Sequence, residues 1–332
     1  MYSFLKKIND PELDKLLGSI IPEMSDRLVS IFFEKKSEKH KKYDERFLWL
    51  LMWQSGNGRQ LFQYIDDNYK KFHQIYDTRF LNKLIKKDGF TSHLWEMIIC
   101  DILSSYGELI PKKEKGSDFL LRTSHGEEIQ VEAIAMNESD DLDLRSIKPD
   151  YSEGSSATLS GKSDDLERPI LLRFTDGLSK KAKKKTYDKT KPLIIAINTS
   201  KVVGFISNDS LVLRWVLFGL GNQTIIRHSD GTHSWGLEQK NDIQGKNGTF
   251  DIGWFNEENN DYSHISGVIY TSQQPEGLIP GGYGWSNYGV TYVPNPNALN
   301  PVDIDFSCMR KIIPAEKPSW KEEASSDFKS SA

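Results

Sequence analysis

Asp118-Phe119-Leu120-Leu121-Arg122-Thr123-Ser124-His125-Gly126-Glu127-Glu128-Ile129-Gln130-Val131-Glu132-Ala133 is the stretch on which the reading of this chain turns. It predicts a strand starting at Asp118, a turn at Ser124-His125-Gly126, and a return strand from Glu128 to Ala133. Successive side chains on a strand point to opposite faces. Glu128, Gln130 and Glu132 therefore share one face, while Ile129, Val131 and Ala133 take the other. The hairpin has an apolar side to bury and a polar side that carries carboxylates. Asp118, opening the partner strand, adds another.

Immediately upstream, Thr91-Ser92 offers an N-cap. Trp95, Ile98, Ile99, Ile102 and Tyr106 then recur on one helical stripe that ends near Gly107. Glu96 borders this stripe, because Ile99 and Leu103 follow it at helical spacing. Residues 1–90 read as a helical N-terminal region. Leu28, Ile31 and Phe32, then Leu48, Leu51 and Met52, then Phe80, Leu81, Leu84 and Ile85 recur at helical spacing, with breaks at Gly56-Asn57-Gly58 and Asp88-Gly89.

Downstream, residues 137–168 are acidic, Ser-rich and poor in large apolar side chains, as expected of a loop outside the core. Pro169-Ile170-Leu171-Leu172-Arg173-Phe174 follows, then a Lys-dense helix from Leu178 to Tyr187. Pro192-Leu193-Ile194-Ile195-Ala196-Ile197-Asn198 is a uniformly apolar strand, which suggests a sheet covered on both faces. A helix is expected over Leu211–Leu220, a polar Gly/Asn-rich stretch over 221–262, and strands over 265–270 and 290–293. Pro294-Asn295-Pro296-Asn297 turns the chain. The expected division is a helical region over 1–90, an α/β core over 91–315 with its acidic loop at 137–168, and a disordered tail over 316–332.

Composition narrows the classes. With 37% hydrophobic and 11% aromatic residues in 332, the chain can bury a substantial core, which excludes a disordered protein. A net charge of −4 means that any nucleic-acid surface must come from locally gathered positive charge. Two cysteines, Cys100 and Cys308, exclude a disulfide framework and a zinc site. No apolar run approaches the length of a membrane span, and Met1–Lys7 has no leader-like apolar stretch. The expectation is a soluble cytoplasmic protein with no membrane partner.

Three carboxylates, Glu96 from the helix and Asp118 and Glu132 from the hairpin, can converge at one point. In a half-buried setting such a cluster repels itself unless a cation neutralises it, and oxygen-only ligands suit Mg²⁺ or Mn²⁺. Each feature also has a plain structural reading: a carboxylate favoured by a helix start, an exposed polar strand face, a solvated basic helix. Gly281-Gly282-Tyr283-Gly284 lacks the strand and helix of a nucleotide fingerprint, and His228 and His233 are poorly spaced for a metal.

Ser92-His93-Leu94-Trp95-Glu96, Gly116-Ser117-Asp118-Phe119 and Val131-Glu132-Ala133 together resemble the PD-(D/E)xK nuclease superfamily, in particular a bacterial branch of mostly uncharacterised proteins. The likeness extends through the Lys-rich helix, the Ile194–Asn198 strand and the Asn295-Pro296-Asn297-Ala298 turn, about residues 91–305. It implies a restriction-endonuclease-like mixed sheet flanked by helices. It also implies that Asp118 and Glu132 bind Mg²⁺ or Mn²⁺ with help from Glu96, that the activity is DNA phosphodiester hydrolysis, and that defence or mobile-element biology is the setting. The chain departs from the pattern at one place: the lysine expected two residues after Glu132 is Ile134. Some members of the superfamily supply this lysine from a neighbouring helix, which nominates Lys181 or Lys184, in a run that also holds Lys180, Lys183 and Lys185. The rival expectation is a catalytically inactive module that keeps the fold and binds nucleic acid or a protein, with the N-terminal helices as the surface for a homodimer or a partner.

Overall fold

The computed structural model describes residues 43–44, 46–48, 57–111, 116–136, 163–184, 186–203, 209–245, 248–256, 259–279, 289–306 and 309–311. The segments expected as the extreme N-terminal helix, most of the acidic loop, the Gly281–Gly284 loop and the tail lie outside these, as do Lys185 and Cys308. The described elements are α1 (Asn57–Phe72), α2 (Phe80–Ile85), α3 (Phe90–Leu103), β1 (Gly107–Ile110), β2 (Phe119–Thr123), β3 (Glu128–Ala135), α4 (Ser163–Ala182), β4 (Leu193–Asn198), α5 (Ser200–Val203), α6 (Asp209–Phe218), β5 (Leu220–Arg227), β6 (His233–Gln239), β7 (Asp242–Gly245), β8 (Gly248–Asp251), β9 (Gly267–Thr271), β10 (Thr291–Pro294) and β11 (Arg310–Lys311).

Seven strands form one mixed sheet in the order β1-β2-β3-β4-β9-β10-β11. The hairpin pairs antiparallel, Phe119 opposite Val131, and β3, β4 and β9 run parallel. The apolar strand β4 lies at the centre and is buried at every residue. Buried on both faces, it has no polar side to present, which is why its sequence does not alternate.

Helices cover both faces. Ile129, Val131, Ala133, Ile194 and Ala196 pack with α1, α2 and α3 in one apolar cluster. Leu193, Ile195 and Ile197 pack with α4 and α6 in the other. The segment 43–85 thus shares its core with one face of the sheet. Trp95, fully buried on α3, donates its indole N–H to the carbonyl of Ala196 at 3.1 Å and so pins that helix across the central strand.

Several local expectations need correction. Thr91-Ser92 does not cap α3. The helix starts at Phe90, whose N–H donates to the Asp44 carboxylate at 3.3 Å, while buried Thr91 accepts from Arg46 at 3.2 Å. The cap comes from a distant segment, so no local signal announces it. The turn before α3 is tight: a Cβ on Gly89 would lie 2.0 Å from the Lys83 carbonyl oxygen, and Asp88 adopts a φ of 60°. Gly107 does not end that helix but opens edge strand β1. Asn57 and Gly58 begin α1.

The Lys-dense helix spans Ser163–Ala182 and absorbs Pro169–Phe174, so it begins inside the stretch expected as acidic loop and stops before Lys184 and Tyr187. The polar stretch 221–262 contains two small hairpins, β5–β6 and β7–β8.

Candidate functional site

The site forms where β2 stops and β3 continues. Carrying the register Phe119↔Val131 on by one residue sets Asp118 opposite Glu132. Past that point β3 has no partner strand on this edge among the described residues, and the Ala133 N–H is taken by the Asp118 carboxylate at 3.0 Å. Asp118 thus closes the ladder and is held while doing so.

Glu132 is fully buried on the β3 face that α4 covers. A buried carboxylate must be paired. Lys181, in the last turn of α4, donates to Glu132 Oε1 at 2.6 Å, and Lys184, just past the helix end, reaches both carboxylate oxygens at 2.9 and 3.1 Å. The Lys181 ammonium is also 3.8 Å from Asp118, and the Lys184 ammonium is 3.3 Å from the Gly116 carbonyl. Two carboxylates and two ammonium groups therefore form one compact cluster. Burial alone would lower the Lys181 pKa, but the charges of Asp118 and Glu132 outweigh it and leave the group above its ordinary value.

The same face of β3 anchors the chain that brings in the lysines. Gln130 donates its side-chain amide to the Asp188 carbonyl at 2.8 Å and accepts the Asp188 N–H at 2.9 Å. Glu128 pairs with Lys191 at 2.8 Å and with Arg122 at 2.8 Å. The alternation Glu128, Gln130, Glu132, visible in the sequence, is thus three successive attachments to the segment between Lys181 and Lys191. Gln130's role was missed because an amide carries no charge signal.

Ile134 follows on this face and packs against α4. A Cβ on Gly177 would fall 3.5 Å from Ile134 Cδ1 and 2.8 Å from Met136 Cε, so helix and strand meet through bare backbone there. The residue that stands where a lysine was expected is an apolar rest for the helix that delivers one.

Glu96 lies near enough to Lys181 for its charge to help raise that pKa. Among the described residues, however, no group of three or more His, Cys, Asp or Glu side chains is placed to hold a metal. Two further groups lie beside the cluster. His93 on α3 lies in the field of Asp118. Burial holds its pKa below the ordinary value, although its Nδ1 meets the Gly89 carbonyl at 2.9 Å. The Lys184 ammonium lies 5.6 Å from the centre of the Tyr187 ring, and burial, with the charges of Glu132 and Asp118, raises the Tyr187 pKa. Lys180 pairs with Asp176 on the helix surface, away from the cluster.

The Lys181 ammonium lies within reach of both carboxylates, and with Lys184 it balances their charge. The Cys100 thiol is buried on α3, and burial pushes its pKa up to about 12. No helix among the described residues is long and apolar enough to cross a membrane. The chain matches no family model, no curated protein and no solved structure.

Proposed function

We propose that this chain is a Mg²⁺- or Mn²⁺-dependent nuclease of restriction-endonuclease-like fold that hydrolyses DNA phosphodiester bonds. The observation that carries the reading is the meeting of Lys181 and Lys184 with Asp118 and Glu132 in a mixed sheet flanked by helices, despite the apolar residue at 134. Asp118 and Glu132 would hold the ion, with Glu96 assisting from α3. When bound, the ion supplies Lewis-acid polarisation of the phosphate and a water of lowered pKa.

The chain's own residues do the rest. Lys181, which donates to Glu132, is placed to act as a hydrogen-bond donor and a positive charge beside the ion. An ammonium in a partly dry site stabilises negative charge developing on a phosphate oxygen. The Gln130–Asp188 clamp holds the lysine-bearing segment in place, so little reorganisation is needed at the moment of reaction.

The test is DNA cleavage in Mg²⁺ and in Mn²⁺ by wild type, Glu132→Gln and Lys181→Met, beside calorimetric titration of Mn²⁺ into wild type and Asp118→Ala. Wild type should cut, both site variants should lose at least about a hundredfold in rate, and only wild type should bind Mn²⁺. DNA binding without cleavage in either ion would replace this reading by that of an inactive nucleic-acid-binding module. Equal Mn²⁺ binding by Asp118→Ala would remove the ligand assignment.

A further inference from the structure

We infer that the β5–β6 ribbon is an arm that lies in a groove of duplex DNA, an inference that rests on the DNA reading above. The root of the ribbon is fixed. The Gly219 N–H donates to the Trp215 carbonyl and the Lys240 N–H to the Gly219 carbonyl, each at 2.9 Å. A Cβ on Gly221 would lie 2.6 Å from the Trp215 ring, and Leu220 packs against the core. Beyond the root, the two strands pair only with each other among the described residues.

The register sets Ile225 opposite Trp235 and Arg227 opposite His233, so these four side chains share a face. Ile225 is 59% and Trp235 47% exposed, two of the three exposed large apolar side chains among the described residues. The two lie side by side on a ribbon that has no third strand among the described residues, so this face is left open to a partner. Next to it, toward the turn, Arg227 and His233 are exposed, and neither side chain has an ion-pair or hydrogen-bond partner among the described residues. The nearby acid, Asp230, is occupied by the turn, accepting from the Thr232 N–H at 2.9 Å.

The partner must therefore offer anionic groups beside apolar or aromatic surface. A second copy of this face brings no carboxylate to meet Arg227 and His233. Duplex DNA brings both features: phosphates along the ridges, and base edges with thymine methyl groups on the floor of a groove wide enough for a two-stranded ribbon. A single indole is too little for a single-strand track, which stacks successive bases on several rings. The arm follows α6, and α6 packs against α4, the helix that carries Lys181, so arm and charged cluster are borne by neighbouring elements.

The experiment is fluorescence anisotropy of the full chain on a short labelled duplex and on its single strand, without divalent cation, over a salt series. Trp235→Ala should weaken duplex binding about tenfold at unchanged salt dependence. Arg227→Ala should weaken it several-fold and lower the slope of log K against log salt by about 0.9, the value of one phosphate contact. Thermal melts of both variants should match wild type, because both side chains are exposed. Equal binding by the variants, absence of duplex binding by wild type, preference for the single strand, or a dimer that Trp235→Ala dissolves would each overturn the arm. The nuclease reading is judged apart, by cleavage and its loss in Glu132→Gln. A chain that cuts DNA but binds it regardless of Trp235 and Arg227 keeps the nuclease and loses the arm. One that binds through the arm and never cuts does the reverse.

Discussion

Lys184 grips both carboxylate oxygens of Glu132, at 2.9 and 3.1 Å, although the two residues are 52 positions apart with all of α4 between them. Removing one partner of a buried pair leaves the other charge in a poor solvent. Lys184→Ala should therefore destabilise the fold by about 1–3 kcal/mol, less than for a fully buried pair because Lys181 remains and Lys184 is partly exposed. Adding Glu132→Gln should restore part of the loss. Urea unfolding of the two single variants and the double variant gives the coupling directly, and strict additivity would show that the pair is not coupled.

Stability should hold a plateau between two titrations. Lys181 and Tyr187 have raised values in the folded chain, from 10.5 and 10.0, so the unfolded chain loses these protons first and stability falls as pH climbs past about 10. His93 has a lowered value, from 6.5, so the unfolded chain gains a proton first and stability falls as pH drops below about 6.5. Urea midpoints across this range should show both shoulders. The acid shoulder should shrink in His93→Gln, and the alkaline one in Lys181→Met measured against its own neutral-pH value.

Gln130→Ala removes two bonds to Asp188 without touching a charge. The expected cost is about 1–3 kcal/mol, with faster hydrogen exchange at the Asp188 amide and its neighbours while the β4 amides stay protected. If the segment after α4 is what positions Lys184, nuclease rate should drop more than DNA affinity.

Trp95→Phe deletes the bond to Ala196 and leaves a small void under the central strand. A loss of about 1–3 kcal/mol is expected in urea unfolding, with the Asp118–Glu132 cluster left in place.

Legibility of the fold tracked burial. Strand β4 and the hairpin stood out because each buries a whole face and its sequence has no freedom to do otherwise. Strand β1 was missed because Gly107–Ile110 is short and half exposed, and the ribbons in 220–251 because strands that pair only with each other in solvent need no alternation. Helix α4 starts earlier than expected, taking in Pro169 and the apolar run after it, and it was carried too far because its lysines continue past the helix end. At the site, Asp118 and Glu132 could be placed from strand register alone. Their meeting with Lys181 and Lys184 depends on how α4 docks, and no local pattern encodes docking. The clamp by Gln130 was hidden for a different reason: its partners are backbone atoms, which every sequence has.

Because α4 meets β3 through the bare backbone of Gly177, the spacing between helix and sheet at that level is set by Ile134 and Met136. These two apolar residues govern the height at which the lysines of α4 sit above the carboxylates. A smaller residue at 134 lets the helix settle, and a side chain at 177 lifts it, in either case moving an ammonium that neither residue touches. Positions 134, 136 and 177 should accordingly vary together among related chains, so that a change of size at one is answered at another while the charges at 118, 132, 181 and 184 stay the same.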